Sequence, residues 1–298
     1  MYDVVVIGMG PAGLNAGLYA KRSGLKTLMI EKSAPGGKVN YTNVVNNYLG
    51  FDSISGSDLA QQMFSHVIKE EVPYIIEEVK DIIVTSDKKT VITNKQTIDC
   101  KTIIICGGKV NKKLEAKGEK QNNISYCAVC DAPLYKNKTV AVIGAGNSAF
   151  EEGSYLSSFV KHEYILVRSS IKADKVLIDE VKSKKNIEIL YDAVLDTMNY
   201  EEDVLKSITL TNKKTIDVDG IFVYIGSSPL AEYTSKINIT NEQGFIEVDK
   251  NQETRVKGIY AAGDIIKKDL YQIINAASEG AVAANEARKY INSLKEEI

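Results

Sequence analysis

Two cysteines separated by two residues, Cys127 and Cys130, carry the clearest chemistry in this chain. At that spacing one thiolate can attack a partner's disulfide while its neighbour resolves the mixed disulfide that results. Asp131 follows directly and offers a carboxyl group that can relay a proton to a thiolate. The same Cys-x-x-Cys pattern could be half of a zinc site, but zinc needs four suitably spaced ligands. Cys100 and Cys106 do not share the spacing, and His66 and His162 stand alone, so no metal is expected. Cys100 and Cys106 read as small buried residues. Neither histidine lies in a Ser/His/Asp or Cys/His context, which leaves hydrolysis by that route without support, and both read as structural.

The whole chain bounds what such a pair could serve. Its 298 residues exceed one typical domain, and 44% apolar with 26% charged residues is ordinary for a soluble globular protein, so two cores are expected. The 37 basic and 39 acidic residues are mixed along the length and leave no extended basic surface for nucleic acid. Met1-Tyr2-Asp3-Val4-Val5-Val6-Ile7-Gly8 enters a strand-like run at once, without the parts of a signal peptide, and no run reaches the roughly 18 apolar residues of a membrane span. A cytoplasmic protein is expected, with structure from burial and not from disulfide staples.

One supersecondary pattern occurs twice. Asp3 to Ile7 precedes Gly8-Met9-Gly10-Pro11-Ala12-Gly13, and Thr139 to Ile143 precedes Gly144-Ala145-Gly146-Asn147-Ser148-Ala149. The β-branched runs predict central parallel strands, and Leu14 to Arg22 and Phe150 to Ser158 predict helices. Lys26 to Glu31 and Glu163 to Arg168 predict the strands that complete each βαβ unit. Near the end, Gly258 to Asp264 reads as a short strand ending in Gly-Asp, followed by a small-residue helix over Ile274 to Tyr290. The expected fold class is α/β: two Rossmann-like, three-layer dinucleotide-binding domains, the second inserted into the first. The expected boundaries are 1–112 and 230–298 for the first domain and 113–229 for the second.

Each glycine turn has a physical role. The first glycine allows the bend, the second lets backbone approach a pyrophosphate, and the third permits close helix–strand packing. Gly8, Gly10 and Gly13 fit those roles, and Glu31 sits where a carboxylate can take ribose hydroxyls. The second turn, Gly144 and Gly146, ends in Ala149, an allowed variant. Its strand ends in Arg168 with Lys172 nearby, charges that suit the 2′-phosphate of NADPH.

These motifs, with Gly36-Gly37, Asn46 to Phe51, Ser125-Tyr126-Cys127-Ala128-Val129-Cys130-Asp131 and Ala261-Ala262-Gly263-Asp264, resemble the low-molecular-weight bacterial thioredoxin reductases over nearly the whole chain. The resemblance implies FAD on the discontinuous domain, held by Gly8, Gly10, Pro11, Ala12, Gly13, Glu31, Gly37, Asn47, Gly263, Asp264 and Gln272. It implies NADPH on the inserted domain, held by Gly144, Gly146, Asn147, Ser148, Ala149, Arg168, Lys172 and Gly226. Cys130 would face the flavin, Cys127 would attack thioredoxin or a similar small protein, Asp131 would be the acid, and the chain would form a homodimer.

The chain departs from the family where His-Arg-Arg and a further Arg usually grip the 2′-phosphate: it has Leu166-Val167-Arg168 and then Lys172. Lys38, Cys106-Gly107-Gly108 and Tyr271 are further departures. NADH or a reduced electron carrier protein is therefore the alternative donor for the same disulfide chemistry. A non-catalytic, FAD-bound redox sensor is the remaining reading.

Overall fold

The computed structural model describes residues 1–42, 44–85, 88–120 and 123–296. The chain forms two compact units, one of residues 1–110 and 228–298, the other of residues 111–227. The two crossings, Lys109–Asn111 and Ser227–Pro229, pair as a two-stranded ribbon.

In the first unit Tyr74–Ile76, Thr27–Glu31, Tyr2–Ile7 and Thr97–Ile105 lie side by side and parallel. Ile259–Ala261 joins the end of Thr97–Ile105 in parallel, while the start of that strand pairs antiparallel with Lys89–Thr93, which pairs with Val79–Val84. The strand side chains alternate between two cores, as the period of two requires. Val4 and Val6 pack under α1 (Pro11–Arg22), beside Val67 of α2 (Gly56–Lys69) and the alanines of the last helix, while Val5, Ile7, Leu28 and Ile30 meet Ile82, Val91 and Ile265 on the opposite face. The last helix, Ile273–Glu296, lies so close to α1 that a Cβ on Gly280 would stand 2.0 Å from the Ala12 carbonyl oxygen.

The second unit repeats the plan. Ile187–Tyr191, His162–Val167, Thr139–Ile143, Gly220–Val223 and Ile124–Ser125 form a parallel sheet. Its other helices are α3 (Ala128–Asp131), α4 (Asn147–Leu156) and α5 (Lys175–Ser183), so the last helix of the chain is α6. Val140, Val142 and Phe222 pack with Phe150, Leu156 and Val181 on the helical face. Ala141, Ile143, Ile221 and Val223 pack with Leu195, Leu205, Ile208 and Leu210 on the other. These last residues belong to an antiparallel sheet of Leu195–Glu201, Val204–Leu210 and Thr215–Asp217. Each unit is thus helix, parallel sheet and antiparallel strands, the expected α/β class.

Candidate active site

In the first unit the strand Tyr2–Ile7 delivers Gly8 at φ +96°, a conformation glycine adopts readily. A Cβ on Gly13 would stand 1.8 Å from the Gly8 carbonyl oxygen, so α1 can start this close to the strand only with glycine there. Gly10 caps α1 without a side-chain cap, and Pro11, which has no N–H to lose, takes the first helical position. The unclaimed N–H groups of such a helix start are an anion site.

Glu31 lies against this turn. Its Oε2 accepts the Met9 N–H at 2.7 Å and its Oε1 the Ser33 N–H at 3.0 Å. Gly36 donates its N–H to the Met9 carbonyl at 2.7 Å, and Gly37 follows so closely that its Cβ would lie 3.2 Å from the Gly10 Cα. A Cβ on Gly263 would lie 2.9 Å from that of Ala12, which brings Gly263 and Asp264 to the start of the same helix. Asn47 and Gln272 meet each other, Nδ2 donating to Oε1 at 3.1 Å. The set fits FAD: an uncapped helix start for the pyrophosphate, a carboxylate at the strand end for the ribose, and backbone from two further segments. One pair was not foreseen. Glu279 Oε2 accepts both the Gly263 N–H at 2.8 Å and the Lys268 ammonium at 2.6 Å, bracing the Gly-Asp segment.

In the second unit Gly146 caps α4, again without a side-chain cap, and a Cβ there would meet nothing within 4 Å. Lys172 donates its backbone N–H to the Ala145 carbonyl at 2.7 Å, which pins the segment after His162–Val167 to the glycine turn. Arg168, Lys172, Asn147 and Ser148 are exposed, while Ala149 is buried. Asn147 and Asp174 exchange two hydrogen bonds, of 2.8 and 2.9 Å. Gly226 accepts the Lys112 N–H at 2.9 Å.

Cys127 and Cys130 are joined as a disulfide. Cys127 caps α3, its Sγ accepting the Cys130 N–H at 3.2 Å. Buried Ser125 accepts the Cys127 N–H at 3.1 Å and donates its hydroxyl to Asp131 Oδ2 at 2.6 Å, tying the carboxylate to the pair. On the other side of the turn the Ala128 N–H meets Tyr224 Oη at 2.7 Å and Glu152 Oε2 at 3.0 Å, and Tyr224 donates its hydroxyl to that same oxygen at 3.3 Å. Burial pushes the Glu152 carboxyl above its usual range, opposed by hydrogen bonds from Val129 and Ala128. Burial, and then the nearby Glu152, pushes the Tyr224 phenol far up as well. Glu152 and Tyr224 had not been singled out from the sequence, and Ser125 stood there only as the first residue of a motif, without a role.

Cys100 and Cys106 are free, buried thiols, and burial pushes Cys100 up to about 12 and Cys106 further still. Cys100 lies within the first unit's sheet and Cys106 directly after the strand Thr97–Ile105, and burial makes both inert. Among the described residues no group of three or more His, Cys, Asp and Glu could hold a metal ion. None of the described helices is long and apolar enough to cross a membrane.

A strand-to-helix glycine turn in each unit and a disulfide just ahead of the second define a nucleotide-dependent disulfide enzyme. The chain belongs to the pyridine nucleotide-disulphide oxidoreductase family, whose model matches residues 2–280. It is an FAD-dependent oxidoreductase acting on a disulfide. It is 40% identical to a thioredoxin reductase of Ureaplasma parvum, covering 98% of this chain and 97% of that one. A thioredoxin reductase of Bacillus subtilis is 37% identical, over 100% of this chain and 97% of its own. The crystal structure of thioredoxin reductase from Streptococcus pyogenes superposes with a TM-score of 0.92 at 34% identity, covering 98% of this chain and 99% of the other.

Proposed function

We propose that the enzyme uses NADPH to reduce the disulfide of thioredoxin or a similar small protein. The observation that carries this is the Cys127–Cys130 disulfide with Asp131 bound to it through Ser125, set directly before a dinucleotide turn. The relatives named thioredoxin reductase support the partner.

FAD, when bound, supplies a two-electron relay between a nicotinamide and a disulfide. Gly8, Gly10, Pro11, Ala12 and Gly13 would take its pyrophosphate at the start of α1, Glu31 its ribose, and Gly37, Asn47, Gly263, Asp264 and Gln272 the rest. Gly144, Gly146, Asn147, Ser148, Ala149 and Gly226 would take NADPH, with Arg168 and Lys172 toward its 2′-phosphate. Asp131, its Oδ2 held by the Ser125 hydroxyl at 2.6 Å, moves a proton to the sulfur that leaves when the pair opens. Cys127 attacks the partner's disulfide, and Cys130 resolves the mixed disulfide. The working form is a cytoplasmic homodimer.

The test is NADPH oxidation by the FAD-loaded protein with oxidised thioredoxin. Turnover is expected, with none in a Cys130→Ser variant. No thioredoxin reduction with either NADPH or NADH overturns the reading. Arg168 and Lys172 are single exposed charges and not a paired arginine fork, which favours one variation, in which NADH or a reduced carrier protein is the donor. Stopped-flow bleaching of the flavin by each donor separates the two.

A further inference from the structure

Every N–H at the start of the dithiol turn has a partner, and only one of those partners is sulfur. Cys130 N–H goes to Cys127 Sγ and Asp131 N–H to the Cys127 carbonyl at 3.1 Å. The other two go to Glu152 Oε2, Ala128 at 3.0 Å and Val129 at 3.4 Å, with Tyr224 Oη sharing the Ala128 N–H. A cysteine at the head of a helical turn ordinarily loses its proton easily, because the turn's N–H groups stabilise the thiolate. Here a carboxyl group occupies those donors and sets its own charge beside the peptide that follows Cys127.

We propose that Glu152, anchored by the Tyr224 hydroxyl, is a positioning residue that sets how firmly the reduced cysteine pair keeps its protons. The inference rests on Cys127 and Cys130 being the redox pair. Reduction breaks the one S–S bond with two electrons and leaves two sulfurs, each of which takes up a proton from solvent or stays a thiolate. A thiolate, and not a thiol, is the form that oxidants attack. Glu152 therefore holds more of the reduced pair as thiols, and Cys127 attacks a partner's disulfide through the fraction that has released its proton to solvent.

The charged groups on α4 and on the elements packed around it are consistent with this role. α3 presents Asp131 and the pair itself. Tyr224 follows the strand Gly220–Val223. Glu163, on the neighbouring strand, reaches α4 at Gly153, where a Cβ would lie 2.6 Å from its Oε1. α5 presents Glu180, bonded to Ser154, and α4 itself adds the exposed Glu151. None of these is a cation that could neutralise the carboxylate.

The test is the pH dependence of iodoacetamide alkylation of Cys127 and Cys130 in the chemically reduced, FAD-loaded protein, read residue by residue by mass spectrometry. Glu152→Gln is expected to move the Cys127 midpoint down by about one pH unit, a roughly tenfold gain in thiolate below it. Tyr224→Phe withdraws one hydrogen bond from the carboxylate and is expected to give about a threefold gain, which also serves if Glu152→Gln does not fold. Glu151→Gln, the charge control, leaves the midpoint unchanged. An unmoved or raised midpoint in Glu152→Gln, or an equal shift in Glu151→Gln, overturns the proposal; with Glu152→Gln unfolded, an unmoved midpoint in Tyr224→Phe does so. The assay needs neither nicotinamide nor thioredoxin. Shifted midpoints without thioredoxin reduction would sink the proposed function alone, and turnover with unmoved midpoints would sink this inference alone.

Discussion

The two glycine turns start from the same strand-turn-helix plan and end as different sites. The first is enclosed. Glu31 closes on Met9, Gly37 on Gly10 and Gly263 on Ala12, all within one unit. The second stands open, with empty space at Gly146 and with Arg168 and Lys172 exposed at its rim. Enclosure suits a group that stays through many turnovers, and openness suits one that must leave after each. The helices differ beneath as well. The glycine four residues past the turn rests on the Met29 sulfur in the first unit and on the Glu163 carboxyl in the second.

The contrast can be broken most forcefully at its tightest point. Gly13→Val forces a side chain into 1.8 Å of the Gly8 carbonyl. It is expected to yield protein without flavin absorbance and to cost about 3 kcal/mol or more in thermal unfolding. Ala149→Gly, at the matching position, is expected to cost about 1 kcal/mol and leave flavin content untouched. Equal loss of flavin from both variants would end the distinction between the turns.

A smaller effect is expected at the open turn. Arg168→Glu is expected to raise the KM for NADPH by about tenfold to a hundredfold, the scale of a lost charge-assisted hydrogen bond, with FAD content and the KM for NADH unchanged. An unchanged KM for NADPH would remove Arg168 from the 2′-phosphate.

The smallest effect sharpens the difference beneath the helices. Both carboxyl oxygens of Glu163 are buried without a hydrogen-bond partner, and burial holds the group well above its usual range. The folded state thus keeps a proton that the unfolded chain releases above about pH 4.3. That contribution to stability is full below this pH and is lost as pH rises toward the folded-state value. Glu163→Leu should flatten the slope and add about 1–2 kcal/mol at mildly alkaline pH, measured as urea midpoints on either side of neutrality. Equal slopes in the parent and the variant would clear Glu163 as the cause.

The parallel layers were legible because β-branched runs, glycines and helix-forming stretches follow one another locally in both copies. The antiparallel layers were not. The hairpin of Leu195–Glu201 and Val204–Leu210 turns through Glu202 at φ 48° and Asp203 at φ 65°, where Asn-Gly would have announced it. α6 runs to Glu296, past the predicted end at Tyr290, because Ile291 still packs in the core. In the dithiol region the cysteines and Asp131 were visible as neighbours in sequence. Glu152 and Tyr224 reach Ala128 from 24 and 96 residues away, distances over which no local pattern speaks.

The close seat of α6 on α1 has a consequence for synthesis. Residues 111–227 all leave the ribosome before α6 does, so the middle unit can fold on a nascent chain whose first unit still lacks its last helix. Until Gly280 settles over Ala12, the opening strand and helix wait half-covered. The strand and helix that open the first unit are made before the middle unit and sealed after it.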